Sequence, residues 1–154
     1  MNIQEFIGQY RNHPVLFVGA GVSLRYLNNA FTWDGLLKHI AFELKGNNEF
    51  YLDIKAESRE NGKYDYTKVA AKLEQEFNTV LGQDRNGKFE DINDVFYREM
   101  ETENYLSRFK IYIAKLVKQL DYKEDMLDEL SELKKIRKNI GSVITTNYDN
   151  LIED

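Results

Sequence analysis

The feature that most constrains this chain is a continuous apolar run, Val15–Val18, that stops abruptly at Gly19-Ala20-Gly21. Pro14 disfavours helical geometry in the residue before it and so opens an extended segment. A strand that is apolar throughout, rather than at alternate positions, is typical of a parallel sheet that is buried on both faces. We therefore predict a buried parallel strand that ends in a glycine turn.

The long middle of the chain repeats apolar residues at helical spacing. The predicted helices cover residues 2–11, Trp33 to about Lys45, and the apolar stripes from Val69 to Val80, from Leu106 to Leu120 and from Met126 to Ile136. The dipeptides Asn61-Gly62 and Asn86-Gly87 predict turns. Farther along the chain, the β-branched segment 142–146 predicts a second strand.

This order of elements predicts an α/β fold with a Rossmann-like parallel sheet. A large helical insertion, with a helical module at roughly residues 60–140, separates the first strand from the strand that ends in Thr-Thr-Asn-Tyr-Asp, residues 145–149. Two firm strands are too few for a finished sheet. We therefore expect a truncated domain, of which residues 1–154 form the N-terminal portion.

The composition excludes several kinds of site and partner. The 154 residues include no cysteine, which rules out disulfides, thiolate zinc sites and a cysteine nucleophile. The net charge is -5 with acids and bases interspersed, whereas a nucleic-acid surface needs clustered Lys and Arg. No apolar run is long enough to span a bilayer, and the first residues do not form a secretory signal. We expect a soluble, cytoplasmic protein that binds no nucleic acid, no membrane and no metal ion.

The glycine turn suits a phosphate ligand. Glycine permits a sharp turn and a close approach of the backbone, and a helix that follows it directs its first amides toward whatever lies there. The hydroxyl of Ser23 can add a hydrogen bond. The alternative interpretation is structural: the glycines only let a helix pack tightly on the strand.

The second motif offers side chains for a sugar and an amide. In an open α/β sheet, ligands lie outside the carboxyl ends of the strands, where Asn147 and Asp149 are found. An amide and a carboxylate there can bind ribose hydroxyls and a carboxamide, provided that the two strands are neighbours. The alternative is that Asn147 or Asp149 caps a helix that starts near Tyr148.

Together, a strand that ends in Gly-Ala-Gly-Val-Ser and a later strand that ends in Thr-Thr-Asn-Tyr-Asp resemble the sirtuin superfamily. In that family, Gly-Ala-Gly-x-Ser opens the NAD site and a Thr-x-Asn-x-Asp strand end closes it. The stretch Phe31–Leu37, FTWDGLL, is more similar to the bacterial branch found in antiphage defence proteins than to the protein deacylases. Deacylases usually carry Gly-Ile-Pro-Asp-Phe-Arg there.

The resemblance implies NAD as the substrate and assigns roles to the two motifs. Asn147 is the implied catalytic residue, which would hold the nicotinamide ribose and help to place the attacking water. Ser23 would contact the pyrophosphate together with the glycine turn, and Asp149 would face the nicotinamide carboxamide. The cofactor-binding residues implied in this way are Gly19, Ala20, Gly21, Ser23, Asp34, Thr146, Tyr148 and Asp149.

The implied activity is that of an NADase, which hydrolyses NAD to nicotinamide and ADP-ribose as the effector domain of a bacterial antiphage defence (abortive infection) protein. The family's catalytic histidine follows the Asn-x-Asp strand end, whereas the histidines of this chain are His13 and His39. We therefore expect activity only together with downstream residues. A downstream sensor domain or a partner subunit would control it, and the resemblance leaves a homo-oligomer open.

Other functions stay open beside this one. The chain could belong to an NAD-dependent protein deacylase, which would need a peptide groove. It could also be a non-catalytic module that binds NAD or ADP-ribose, since no histidine accompanies the motifs. A further interpretation is a helical interaction domain in which the two motifs coincide by chance.

Overall fold

The computed structural model describes residues 14–152, which are rich in helix and contain only short strands. The predicted helix at residues 2–11 and His13 lie outside the described residues. The elements, in chain order, are β1 (Val15–Val18), α1 (Ala20–Tyr26), α2 (Trp33–Lys45), α3 (Glu49–Glu57), β2 (Arg59–Glu60), β3 (Lys63–Tyr64), α4 (Tyr66–Gln83), α5 (Glu90–Glu101), α6 (Arg108–Lys118), α7 (Leu127–Lys135) and β4 (Ser142–Thr145). Short 3-10 turns at Glu124–Met126 and Ile136–Asn139 flank α7. None of the helices in this part of the chain is long and apolar enough to cross a bilayer.

The chain divides into two compact units. The helical unit is Phe31–Gln119, and the sheet unit combines Met1–Ala30 with Leu120–Asp154. The helical unit thus begins and ends earlier in the sequence than the helical module expected at roughly 60–140. It begins earlier because α2 and α3 share their buried residues with α4 in one core. It ends earlier because the chain returns at Tyr122 to pair with Leu27 of the sheet unit.

The helical unit is built around the apolar stripe of α4. Val69, Leu73, Phe77 and Leu81 recur at four-residue spacing on one face of this helix, and each is at most 1% exposed. The Phe77 ring is at the centre of an aromatic cluster, with the ring centroids of Phe89, Phe109 and Tyr112 at 5.2, 5.8 and 5.3 Å. The helix predicted from the Val69–Val80 stripe is therefore confirmed.

Local capping residues set the bounds of these helices. Thr32 Oγ1 accepts a hydrogen bond from Gly35 N at 3.1 Å at the start of α2, and Gly46 ends that helix with a φ of 73°. The bounds predicted for this helix match those observed. The predicted Asn61-Gly62 turn joins β2 to β3 with φ values of 51° and 79°, the signature of a tight two-residue hairpin.

The sheet unit contains the two predicted strands as a parallel pair. The register runs from Val15 opposite Ser142 to Val18 opposite Thr145. The predicted burial on both faces is wrong, because the side chains of Val15 and Phe17 are 57% and 69% exposed and only Val18 is fully buried. The described residues place no helix over the face that carries Val15 and Phe17. Parallel pairing is therefore confirmed, within a sheet of two described strands.

Candidate functional site

The parallel pairing brings the two sequence motifs to the same edge of the sheet. Gly19 directly follows β1 and Thr146 directly follows β4, and both strands point the same way. The pairing continues one residue beyond the strands, since Thr146 N donates to Val18 O at 3.2 Å. The two strands are therefore neighbours, which is the condition under which the sequence predicts that the two motifs meet.

A chain of side-chain hydrogen bonds joins the motifs. Asn147 Nδ2 donates to Gly19 O at 3.1 Å and to Ser23 Oγ at 2.8 Å. Ser23 Oγ in turn donates to Asp149 Oδ2 at 2.6 Å, a short distance that is typical of a hydroxyl bound to a carboxylate. Asn147 and Asp149 therefore share one partner, Ser23, although 124 and 126 residues separate them from it.

Ser23 is the buried centre of this arrangement. Ser23 is 3% exposed, while Asn147 and Asp149 are half-buried. A serine hydroxyl has one proton, and here that proton is directed to Asp149, so in this arrangement it does not point toward a phosphate. Ser23 Oγ thus accepts a hydrogen bond from the Asn147 amide and donates one to the Asp149 carboxylate.

The structure does not support tight packing as the reason for the two glycines. A Cβ on Gly21 would meet no atom within 4 Å, and one on Gly19 would lie 4.0 Å from Thr146 Oγ1, an ordinary contact. Neither glycine has a positive φ, and that of Gly19 is -122°. The fold of the described residues therefore tolerates a side chain at both positions.

The capping interpretation explains only part of the second motif. Asp149 Oδ1 accepts a hydrogen bond from Leu151 N at 3.2 Å, a local contact of the kind that aspartate makes in turns. Asn147 makes no such contact, because its side chain reaches back to α1. Residues 148–152 form bends and turns rather than the helix expected near Tyr148.

The other predicted site residues in the sheet unit lie close in sequence to this network. Ala20 and Gly21 form the first turn of α1, where a helix has amides without partners inside the helix. Thr146 is exposed, and the Tyr148 side chain is 62% exposed. Sequence reasoning missed Leu151, which is 4% exposed and packs in a small core with Tyr26, Leu27 and Leu130. In the sequence, the only indication that Leu151 is buried is that it is an apolar residue two positions after Asp149.

Asp34 belongs to the helical unit and has partners there. Its Oδ1 accepts hydrogen bonds from Tyr51 Oη at 2.8 Å and from Lys55 Nζ at 2.5 Å. The Lys55 ammonium holds the pKa of the Asp34 carboxyl below its usual value, against the opposing effect of partial burial. The structure thus gives Asp34 a structural role, and its role in binding a cofactor stays a prediction.

The chemistry available at the sheet edge is therefore that of a neutral amide, a hydroxyl and a carboxylate. Such groups can accept hydrogen bonds from sugar hydroxyls and from an amide N–H. Among residues 14–152, no group of three or more His, Cys, Asp or Glu side chains is placed to hold a metal ion. The chain matches no protein-family model, and no curated protein or solved structure was found to be similar to it.

Proposed function

We propose that this chain carries the nucleotide-binding edge of a sirtuin-like, Rossmann-like domain and that its function is the hydrolysis of NAD to nicotinamide and ADP-ribose. The observation that carries the proposal is the contact of Asn147 and Asp149 with the same buried hydroxyl, Ser23 Oγ. Two motifs that resemble the two halves of one NAD site are thereby in physical contact.

The hydrogen bonds fix how the two polar groups can meet a ligand. Asn147 uses Nδ2 for Gly19 O and Ser23 Oγ, which sets the amide orientation and keeps Oδ1 as an acceptor. A ribose hydroxyl is a suitable donor to that oxygen. Asp149 is held by Ser23 and by Leu151 N, and a carboxylate oxygen can accept more than one hydrogen bond, here from a carboxamide.

The reaction needs positioning more than a strong nucleophile. Positive charge builds on the ribose as nicotinamide leaves, so fixed dipoles and a held sugar lower the barrier. The glycine turn leaves space for a ligand. The fold would accept a side chain at Gly19 and at Gly21, so packing alone does not explain the two glycines. In the proposed role, the dinucleotide backbone approaches the chain there.

The proposed setting is the cytoplasm of a bacterium, in an antiphage defence protein. This part of the proposal is supported by the resemblance of Phe31–Leu37 to that branch of the family. A sensor domain or a partner subunit would control the activity, and NAD or ADP-ribose would be the small-molecule partner.

A second candidate function is the binding of NAD or ADP-ribose without turnover. It is favoured by the absence of histidine from the described part of the sheet unit, residues 14–30 and 120–152. His39 lies in the helical unit, where its ring stacks on Phe31 with the centroids 5.1 Å apart. A deacylase is the third candidate and differs from the hydrolase in needing an acylated peptide.

Calorimetric titration with NAD of the full-length product of the reading frame that encodes this chain tests the proposed ligand. We expect Asn147→Ala to weaken NAD binding by about tenfold or more, because each tenfold corresponds to about 1.4 kcal/mol and at least one hydrogen bond to the sugar is lost. Asn150→Ala is the matched control, since Asn150 is an exposed asparagine of the same segment. Wild-type protein that binds no NAD, or an Asn147→Ala variant that binds as tightly as wild type, would contradict the proposal.

Product analysis separates the three candidates. The full-length product of the reading frame that encodes this chain is incubated with NAD, with and without an acetylated peptide, and nicotinamide is quantified. Release without peptide supports the hydrolase, and release only with peptide supports the deacylase. Binding without release in either case supports the binding module.

A further inference from the structure

The helix that carries Ser23 is too short to be stable without contacts to the rest of the fold. α1 has seven residues, and isolated helices of that length are not stable in water. Its two buried residues are Ser23 and Tyr26, three positions apart and therefore on the same face. Ser23 contacts Asn147 and Asp149, so whatever fixes Tyr26 also fixes the side chain at the centre of the site.

Glu129, on α7, accepts three hydrogen bonds from the last turn of α1. Arg25 Nε and Nη2 donate to Glu129 Oε1 and Oε2 at 2.5 and 2.6 Å, a bidentate pair with a defined geometry. Tyr26 Oη donates to Glu129 Oε1 at 2.8 Å. Tyr26 is 5% exposed, so its hydroxyl reaches Glu129 from a packed ring. We call Arg25, Tyr26 and Glu129 the α1 clamp.

Backbone contacts hold the same end of α1. Lys123 N donates to Tyr26 O and Asn28 N donates to Asp121 O, each at 2.8 Å. Lys123 Nζ also donates to Leu24 O at 2.8 Å. These bonds hold the C-terminal end of α1, and the clamp adds contacts from two side chains of its last turn.

We propose that Glu129 is a positioning residue of the candidate site: through Arg25 and Tyr26 it sets the rotation of α1 and so the placement of Ser23 against Asn147 and Asp149. The assignment of the site to NAD rests on the proposed function, whereas the mechanical coupling does not. Arg25, by its bidentate bond, lowers the pKa of Glu129 to about 2, so the clamp is charged throughout the neutral range. Both side chains of the Arg25–Glu129 pair are about half exposed, so we expect added salt to weaken it.

The test uses a matched pair of substitutions on α7. Glu129→Gln removes the charge of the clamp. Glu132→Gln is the control, because Glu132 is an exposed residue of the same helix and its partner, Lys135, lies in that helix at 2.5 Å. The first readout is the side-chain amide signal of Asn147 in ¹⁵N–¹H NMR spectra, since that amide donates to Ser23 Oγ. The second is the dissociation constant for NAD.

We expect Glu129→Gln, and not Glu132→Gln, to shift the Asn147 side-chain signals and to weaken NAD binding about 3- to 10-fold, within the range for residues that act through a packed element. The charge-exchanged double variant Arg25→Glu/Glu129→Arg should recover part of both readouts relative to Arg25→Glu alone. This comparison keeps the test informative if a single variant is unstable, because unfolding moves the signals of the whole chain to unfolded positions and not those of Asn147 alone.

Two results overturn the inference. One is a folded Glu129→Gln protein whose Asn147 side-chain signals match those of Glu132→Gln. The other is a charge-exchanged double variant no closer to wild type than Arg25→Glu. Clamp-dependent Asn147 signals in a protein that binds no NAD would support the positioning role and contradict the proposed function, so the two failures are distinguishable.

Discussion

At the scale of single residues, Gly21 separates a structural explanation of the first motif from a ligand-binding one. A Cβ at this position meets no atom of the described chain, and the residue lies in a helix, where alanine is preferred to glycine. If Gly21 served only the fold, a residue with a side chain at this position would make the protein more stable. Glycine is explained if a ligand approaches the backbone closely at this turn.

We therefore predict opposite effects of Gly21→Ala on stability and on binding. The free energy of unfolding should stay unchanged or rise by up to about 1 kcal/mol, because alanine loses less conformational freedom on folding. The affinity for NAD should fall about tenfold or more, as a methyl group would occupy the space of the pyrophosphate. Thermal unfolding and an NAD titration of the same sample measure both.

Gly46→Ala is the control for the stability measurement. Gly46 has a φ of 73°, in the left-handed region, where a side chain costs about 1–2 kcal/mol. It should destabilise the protein while Gly21→Ala does not. A Gly21→Ala protein that binds NAD as tightly as wild type would show that the glycine turn has no ligand.

At the scale of elements, Asp34 ties the first turn of α2 to α3 through Tyr51 and Lys55. Lys55 also lies 4.8 Å from the centroid of the Tyr64 ring and 5.5 Å from that of Tyr66, so its ammonium is surrounded by aromatic faces and one carboxylate. The Asp34 hydrogen bond raises the pKa of Lys55, as the ammonium form is favoured beside the carboxylate. The link is thus strongest when both groups are charged.

Acid should weaken this link in a predictable direction. The pKa of Asp34 is lower in the folded chain than its ordinary value of 3.8, so its contribution to stability is present above that value and is lost as pH falls through the folded pKa. The stability difference between wild type and Asp34→Asn should therefore shrink as pH falls below the ordinary value of 3.8. Urea unfolding at each pH measures it.

Asp53→Asn is the matched control, since Asp53 is an exposed aspartate on α3. Its difference from wild type should stay small across the same range of pH. A wild-type to Asp34→Asn difference that does not vary with pH would mean that the Asp34–Lys55 pair contributes nothing to folding.

Helices whose apolar residues repeat clearly in the sequence could be predicted, whereas α3 and α5 could not. α2 and α4 each bury four residues at helical spacing, and both were predicted. α3 buries only Tyr51 and Ile54, and α5 only Ile92 and Asn93, so their periodicity is too weak to read. The exposed face of β1 was missed because an apolar run does not reveal which neighbours cover it.

Some features of the candidate site could likewise be predicted from the sequence, and others could not. The motifs and their meeting at one sheet edge follow from strand patterns that are local in the sequence. The link through Ser23 and the α1 clamp do not, because Arg25 and Glu129 are 104 residues apart and neither belongs to a recognisable motif. Such a pairing is decided by the packing of α1 on α7, which a single sequence does not show.

At the scale of the whole molecule, the two units differ greatly in the size of their cores. Fifteen described residues form the buried cluster of the helical unit, whereas four, Tyr26, Leu27, Leu130 and Leu151, form that of the sheet unit. Burial of apolar surface is the main source of stability. The helical unit should therefore be the more stable of the two.

We predict that residues 31–119 fold when expressed alone. Every member of the larger cluster lies within these bounds, as does the Phe77 aromatic cluster. Circular dichroism should show a helical spectrum and a single cooperative thermal transition. Phe77→Ala in the same fragment should cost about 3–5 kcal/mol and abolish that transition. A non-cooperative melt of the wild-type fragment would show that its core depends on the rest of the chain.

The distance along the chain between the two motifs also has a consequence during protein synthesis. Ser23 is translated 124 residues before Asn147, a delay of about 6 to 25 s at the ordinary speed of about 5–20 residues per second. Throughout that time the backbone of β1 has no partner strand, because β4 has not yet been synthesised. The helical unit, in contrast, can fold as soon as it emerges. The candidate site can therefore form only after the whole helical unit has been synthesised, and a ribosome that stalls before β4 leaves β1 without the strand that it pairs with.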